Sequence, residues 1–208
     1  VGLHRTKSGE FLKMDLESQI TTEVYLLDRN DPFGEWQLVQ PREQGVEYYV
    51  YHHGDYLYQI TNKDAINFKM IRTTLKGGKE DEIIPNRDKT TLDDVSMFKN
   101  HMAVLERIDG NLEIRLFNFE DESWYNIEMN EDIYSVTFEE NYDWNSDFFR
   151  FGYGSFKTPY CVYDIDFKTH EKTLRKKEEI LGGYESENYV SERIWTPTHD
   201  GKKMAITL

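Results

Sequence analysis

The sequence predicts an all-β protein, a partial β-propeller of about four blades, each a four-stranded antiparallel sheet. Three observations predict it. Short alternating stretches rich in β-branched and aromatic residues fill the chain, glycine- and asparagine-marked turns separate them, and one type of strand recurs at near-constant spacing. Helical periodicity is nearly absent.

Taken in order, the expected strands are 11–16, 23–27, 36–39, 47–51, 56–61, 68–73 and 81–84, then 94–98, 101–107, 112–117, 124–127, 133–138, 148–155, 160–166 and 172–176. His53-Gly54-Asp55, Gly77-Gly78, Asp109-Gly110-Asn111 and Asp200-Gly201 supply the positive φ that tight hairpins need. The stretches opening at Trp36, Asp81, Trp124 and Glu171 read as the last strand of successive units, 45, 43 and 47 residues apart. Four strands per repeat of about 45 residues is the period of a propeller blade. A β-sandwich has many strands but no reason to repeat a four-strand unit.

The units fall at 46–88, 91–129 and 131–179. Residues 1–41 supply three strands of an incomplete blade, and 180–208 fit no blade. The strand pattern of Lys203 to Leu208 stops without a turn or polar tail, so a missing remainder is expected. Open blade faces would then drive self-association.

Composition limits the function. The net charge of −14 repels nucleic acid and anionic lipid and attracts cationic ligands. No run of apolar residues exceeds four, which excludes a membrane-spanning helix. One cysteine, Cys161, allows no internal disulfide, and a reducing, cytoplasmic location is expected, with a periplasmic one as the alternative.

Candidate chemistry is sparse, and no catalytic, cofactor-binding or metal-binding residue is assigned. Gly152-Tyr153-Gly154-Ser155 departs from the Gly-x-Ser-x-Gly elbow, because Tyr153 and Lys157 stand at its glycine positions; Ser155 reads instead as a turn serine bonded to the backbone. The histidines His4, His52, His53, His101, His170 and His199 lack metal-ligand spacing, and His52 and His53 should point to opposite faces of a strand. Asp28-Arg29-Asn30-Asp31 lacks the glycine and distal glutamate of a calcium loop and reads as a solvated hairpin. Asp164 and Asp166, two apart on a strand, are the one carboxylate pair of Asp93/Asp94, Glu139/Glu140 and Asp164/Asp166 that could share a face as a glycosidase needs.

Several stretches, in order, resemble the propeller of the prolyl oligopeptidase family of serine peptidases, in its oligopeptidase B (protease II) branch. They are Glu35 to Glu43, Gly45 to Val50, Ile60-Thr61-Asn62 with Asn67-Phe68, Ser155 to Pro159, and Tyr189 to Trp195. The resemblance implies blades 4 to 7 of a seven-bladed propeller and the start of an α/β-hydrolase domain. It implies a parent that cleaves short peptides after Lys or Arg, with a propeller that limits access and a Ser-Asp-His triad downstream of Leu208. Residues Ser191, Glu192, Arg193 and Trp195 would be the hinge into the first hairpin of that domain, turning at Asp200 and Gly201. The implied partners are peptide substrates and the chain's own missing hydrolase domain. Two other functions remain open from the residues: a self-contained propeller that binds a protein or glycan, and a glycosidase.

Overall fold

Each alternating stretch pairs with its neighbour in sequence, so the sheets are meanders whose spatial order is the chain order. The computed structural model describes residues Val1–Leu208. The first sheet holds β1 (Gly2–Arg5), β2 (Phe11–Glu17), β3 (Thr22–Asp28) and β4 (Gln37–Gln40). The second holds β5 (Tyr48–His53), β6 (Tyr56–Thr61), β7 (Lys69–Thr74) and β8 (Asp81–Ile84). In the third are β9 (Thr90–Met97), β10 (His101–Ile108), β11 (Asn111–Asn118) and β12 (Trp124–Asn126), and in the fourth β13 (Ser135–Phe138), β14 (Phe148–Gly154), β15 (Cys161–Asp166) and β16 (Lys172–Lys177). A separate hairpin of β17 (Arg193–Pro197) and β18 (Lys203–Thr207) closes the chain.

Two sequence expectations need correction. Residues 1–41 form four strands, not three, because β1 pairs in register with β2 from Gly2↔Asp15 to Arg5↔Leu12. Its sequence, Gly-Leu-His-Arg, carries a single large apolar residue and shows no alternation; the ladder alone makes it a strand. The third sheet begins at Thr90, ahead of the expected 94, since pairing with β10 continues past an irregularity at Leu105/Glu106. The acidic pair Asp93-Asp94 hides that continuity in the sequence.

Alternation gives every inner sheet two apolar faces, and three cores result, one between each pair of successive sheets. Val24 and Leu26 meet Tyr48, Val50 and Leu57 between the first and second sheets. Tyr58, Ile60 and Met70 meet Val95, Met102, Val104 and Phe117 between the second and third. Ala103, Ile114 and Leu116 meet Phe149, Phe151, Tyr153 and Ile165 between the third and fourth. Sheets stacked face to face in chain order, with no helix between them, are the blades of a propeller.

The inner edge of each blade is its first strand. Tyr51 on β5 donates a hydrogen bond to Asp94 on β9 at 3.4 Å, so first strands of successive blades approach one another. By contrast β16 is exposed at all six positions and marks the outer rim. Irregular register recurs between third and fourth strands, at Val24/Tyr25, Met70/Ile71 and Val162/Tyr163. In the first blade the Tyr48 hydroxyl fills that irregularity, accepting from the Val24 N–H at 2.9 Å and donating to the Gln40 carbonyl at 2.7 Å.

Gly152 permits one close approach. A methyl group there would fall on the Tyr160 hydroxyl and stand 2.7 Å from Thr137 Oγ1. Gly152→Ala is therefore expected to destabilise by about 1–3 kcal/mol through overpacking, read as a lowered urea midpoint. A midpoint unchanged from wild type would show that Tyr160 swings aside freely.

Candidate functional site

In an up-and-down sheet, the turns after first and third strands lie at one end, and the turns after second strands and the links between blades lie at the other. The C-terminal hairpin docks at the second end. Arg193 reaches from β17 to the turn between β10 and β11, donating to Asn111 Oδ1 at 2.6 Å. Tyr184 donates to the Lys157 carbonyl at 2.5 Å, in the turn between β14 and β15.

The expected hinge residues sit along this hairpin. Ser191 places its hydroxyl in a buried position without a hydrogen-bond partner. Glu192 and Leu208 exchange backbone hydrogen bonds of 3.0 and 2.9 Å. Trp195, opposite Ala205, leaves about half of its surface exposed (52%), and Tyr189 and Val190 just ahead of the hairpin are exposed too. The Thr198 hydroxyl donates to Asp200 and holds its carboxyl below the usual range, and Gly201 takes φ of +80° to close the turn. These contacts fix a hairpin and its seat; they do not assemble a nucleophile with a base.

Ser155 lies at the same end, in the β14–β15 turn. Its oxygen accepts from the Lys157 and Thr158 N–H groups at 3.0 and 2.8 Å, and its proton goes to Glu131 Oε2 at 2.8 Å. A serine held this way braces a turn, as its sequence context suggested. Glu131, which sequence reading missed, gathers three hydroxyls: Ser155, Tyr153 at 3.0 Å and Thr158 at 2.5 Å. Burial raises its pKa, but those hydrogen bonds and the Lys157 charge outweigh burial and leave it lowered. The link preceding β13 is thereby tied to the β14–β15 turn. The only sequence signal was the hydroxyl-rich Ser155-Phe-Lys-Thr turn.

The glycosidase pair does not form. Asp164 is buried, taking two bonds from Arg150 at 2.7 and 2.9 Å and one from Arg175 at 2.7 Å. Asp166 instead caps a turn, accepting from the Lys168 and Thr169 N–H groups at 2.8 Å each. Burial pushes the Asp164 pKa up, yet the two guanidinium groups bring it below its ordinary value. A catalytic acid needs a raised pKa, so this carboxylate is structural.

A pH dependence follows. Because the folded-state pKa of Asp164 is depressed, its contribution is present above the unfolded value of about 4 and is lost as pH falls through the folded one. Asp164→Asn is expected to flatten the acid limb of the stability curve below pH of about 4 and to lower stability at neutral pH by about 3 kcal/mol, measured by urea unfolding from acid to neutral pH. An acid limb identical to wild type would refute the assignment.

The histidines make individual contacts. His52 bonds Ser8 while its neighbour His53 turns to the Lys99 carbonyl at 2.8 Å and stacks on Phe119. His101 stacks on Phe167, and His170 on Tyr125. Asp28 accepts from the Asn30 N–H at 2.7 Å in a solvent-facing turn. No three His, Cys, Asp or Glu side chains come together as metal donors. No helix is long and apolar enough to cross a membrane.

Comparison with known proteins agrees with this architecture. The model of the prolyl oligopeptidase N-terminal β-propeller domain matches residues 1–178. Dipeptidyl aminopeptidase BI of Pseudoxanthomonas mexicana is 31% identical over the whole chain, and protease 2 of Moraxella lacunata is 26% identical over 99% of it. The chain spans only 29% and 30% of those relatives. Among solved structures, oligopeptidase B from Trypanosoma brucei, with antipain covalently bound, superposes with a TM-score of 0.93 at 30% identity, over 99% of this chain and 31% of its own. Oligopeptidase B from Leishmania major gives a TM-score of 0.92 at 24% identity, covering 99% of this chain and 31% of its own. Four-stranded blades in chain order, matched over nearly their full extent, place this chain in the prolyl oligopeptidase family, within its N-terminal β-propeller domain.

Proposed function

We propose that this chain is the access-limiting propeller part of an oligopeptidase B-type serine peptidase that cleaves short peptides after Lys or Arg. The observation that carries the reading is the similarity to the Trypanosoma brucei enzyme, which extends over 99% of the chain and so takes in the docked hairpin as well as the blades. The propeller walls the route to a hydrolase domain and supports it. Residues Ser191, Glu192, Arg193 and Trp195 act as the hinge, and the Asp200-Gly201 turn opens the hydrolase domain. Exposed Trp195, with exposed Tyr189 and Val190 just ahead of the hairpin, supports a partner domain over that end. The acidic field of the chain favours peptides bearing Lys or Arg over neutral ones. A cytoplasmic site of action accords with the single buried, unpaired Cys161.

The outward face of the first blade carries Leu3, Met14 and Tyr25 in one cross-strand row, with Leu12 and Leu16 beside it. Leu3 is 65% exposed. Another blade covers this row in the longer protein, and the 208-residue chain alone pairs with a second copy through it. Light scattering at rising concentration tests the pairing, and a mass that stays monomeric refutes it.

Chromogenic peptides ending in Lys or Arg test the main reading. The 208-residue chain should leave them intact, while the product of the full coding sequence cleaves them and loses activity when the serine of its downstream nucleophile elbow becomes alanine. A full-length product that prefers other residues, or releases dipeptides from the amino terminus, would overturn the assigned specificity.

A further inference from the structure

In a chain of net charge −14, a cavity walled by bases is unusual. One lies where the inner edges of the first three blades meet. It measures about 230 Å³ and is lined by His4, Arg5, Lys7, Lys13, His52 and Ser96, with no Asp or Glu among its lining residues. Strand order explains the gathering. His4 and Arg5 come from inner strand β1, Lys7 from the turn after it, Lys13 from β2, His52 from β5 and Ser96 from β9.

Two of these side chains carry unmet demands. His52 is only 5% exposed; its Nδ1 bonds Ser8 Oγ at 2.7 Å, and its Nε2 is buried without a hydrogen-bond partner. Buried polar atoms are seldom left so. Either nitrogen of the His52 ring can carry the proton, so the ring can donate to Ser8 or accept from it. Lys7 crosses from the first blade to the third, donating to Ser96 Oγ at 3.1 Å with its amine 3.3 Å from the centre of the Phe98 ring. Burial lowers its pKa to about 8, against the opposing field of Asp143.

The local acids do not cancel the bases. Asp15 lies 3.3 Å from Lys13 and 3.8 Å from His4 Nε2, so one carboxylate serves both. Neither Arg5 nor Lys7 has a carboxylate within ion-pair distance. A single water needs about 10–15 Å³ of such space, so the cavity suits a small anion and its waters rather than an extended chain.

We propose that this cavity binds a small oxyanion, held by Lys7, Arg5 and Lys13. Both inorganic phosphate and the terminal carboxylate of a peptide have the required chemistry. Charge-assisted hydrogen bonds to an oxyanion would give Lys7 a counter-charge at ion-pair distance, closer than the field of Asp143.

Nuclear magnetic resonance titration of the 208-residue chain, at constant ionic strength, tests the site with inorganic phosphate, acetyl-Gly-Gly, and acetyl-Gly-Gly amide. A saturable shift of the His52 ring and Lys7 side-chain signals is expected, with the Lys7 titration moved to higher pH in the presence of the anion. Lys7→Gln should weaken binding by about tenfold, and Lys7→Arg should largely preserve it. Arg5→Gln, at an exposed position where folding is not in question, should also weaken binding. Tighter binding of phosphate points to a free inorganic ion; tighter binding of acetyl-Gly-Gly, lost on amidation, points to a peptide terminus. Absence of saturation by phosphate and by acetyl-Gly-Gly up to about 20 mM overturns the proposal. So does binding that Lys7→Gln and Arg5→Gln both leave unchanged.

Discussion

Replacing Glu106 with alanine should lower the unfolding free energy by about 3 kcal/mol, because it leaves two arginines facing each other without their shared counter-ion. Glu106 is fully buried (0% exposed) on β10. It is bonded to Arg115 at 2.6 Å and to Arg87, and the Arg115 guanidinium lies 4.2 Å from the Trp124 ring. Losing one partner of a buried ionic group costs about 3–5 kcal/mol. The lower end applies because Arg87 keeps about a third of its side chain in solvent and can rehydrate. Urea unfolding followed by tryptophan fluorescence measures the loss. Glu106→Gln, which preserves shape and one acceptor, should cost less than the alanine variant. An alanine variant within about 1 kcal/mol of wild type would mean that both guanidinium groups escape to water.

Phe149→Ala is expected to have the other large effect, about 3–5 kcal/mol, through loss of transfer energy and the cavity left behind. Its ring is wholly buried between the third and fourth blades. Its centroid is 4.9 Å from that of Phe138 in its own blade and 6.2 Å from that of Phe98 in the third. Few neighbours can move in, since Phe151 stacks alongside and β14 is paired on both sides. The adjacent Phe148 points to the opposite face and is 37% exposed. Phe148→Ala should therefore cost under about 1 kcal/mol, and the contrast between two neighbouring phenylalanines tests the strand periodicity directly. Similar urea midpoints for the two variants would contradict the assigned facing of β14.

Legibility in the sequence followed the physics of each element. Strands such as β6 and β8 were readable to the residue, because Tyr56 to Thr61 and Asp81 to Ile84 are bounded by turn residues on both sides. Strand β1 was not, since one large apolar residue in four carries no period, and only the ladder to β2 makes Gly2–Arg5 a strand. Ser155 was correctly read as a turn residue from the residues around it, yet its acceptor Glu131 lies 24 positions away and no local pattern pointed there. Asp164 and Asp166 looked alike in the sequence. Arg150 and Arg175 reach the first, and the second caps its own turn, so folding gives two similar side chains different roles.

The sequence by itself determined that this is an all-β chain of repeated four-stranded units, since alternation and turn chemistry act over a few residues and need no distant partner. It also carried the resemblance to a peptidase propeller through short ordered stretches. Only the tertiary structure decided which charges are buried and paired, where the C-terminal hairpin docks, and that His4, Arg5, Lys7, Lys13, His52 and Ser96 enclose one cavity. The buried charges pair across neighbouring strands of one blade, while the hairpin seat and the cavity bring together residues dozens of positions apart, and the energy of a buried charge depends on those neighbours rather than on its own place in the chain.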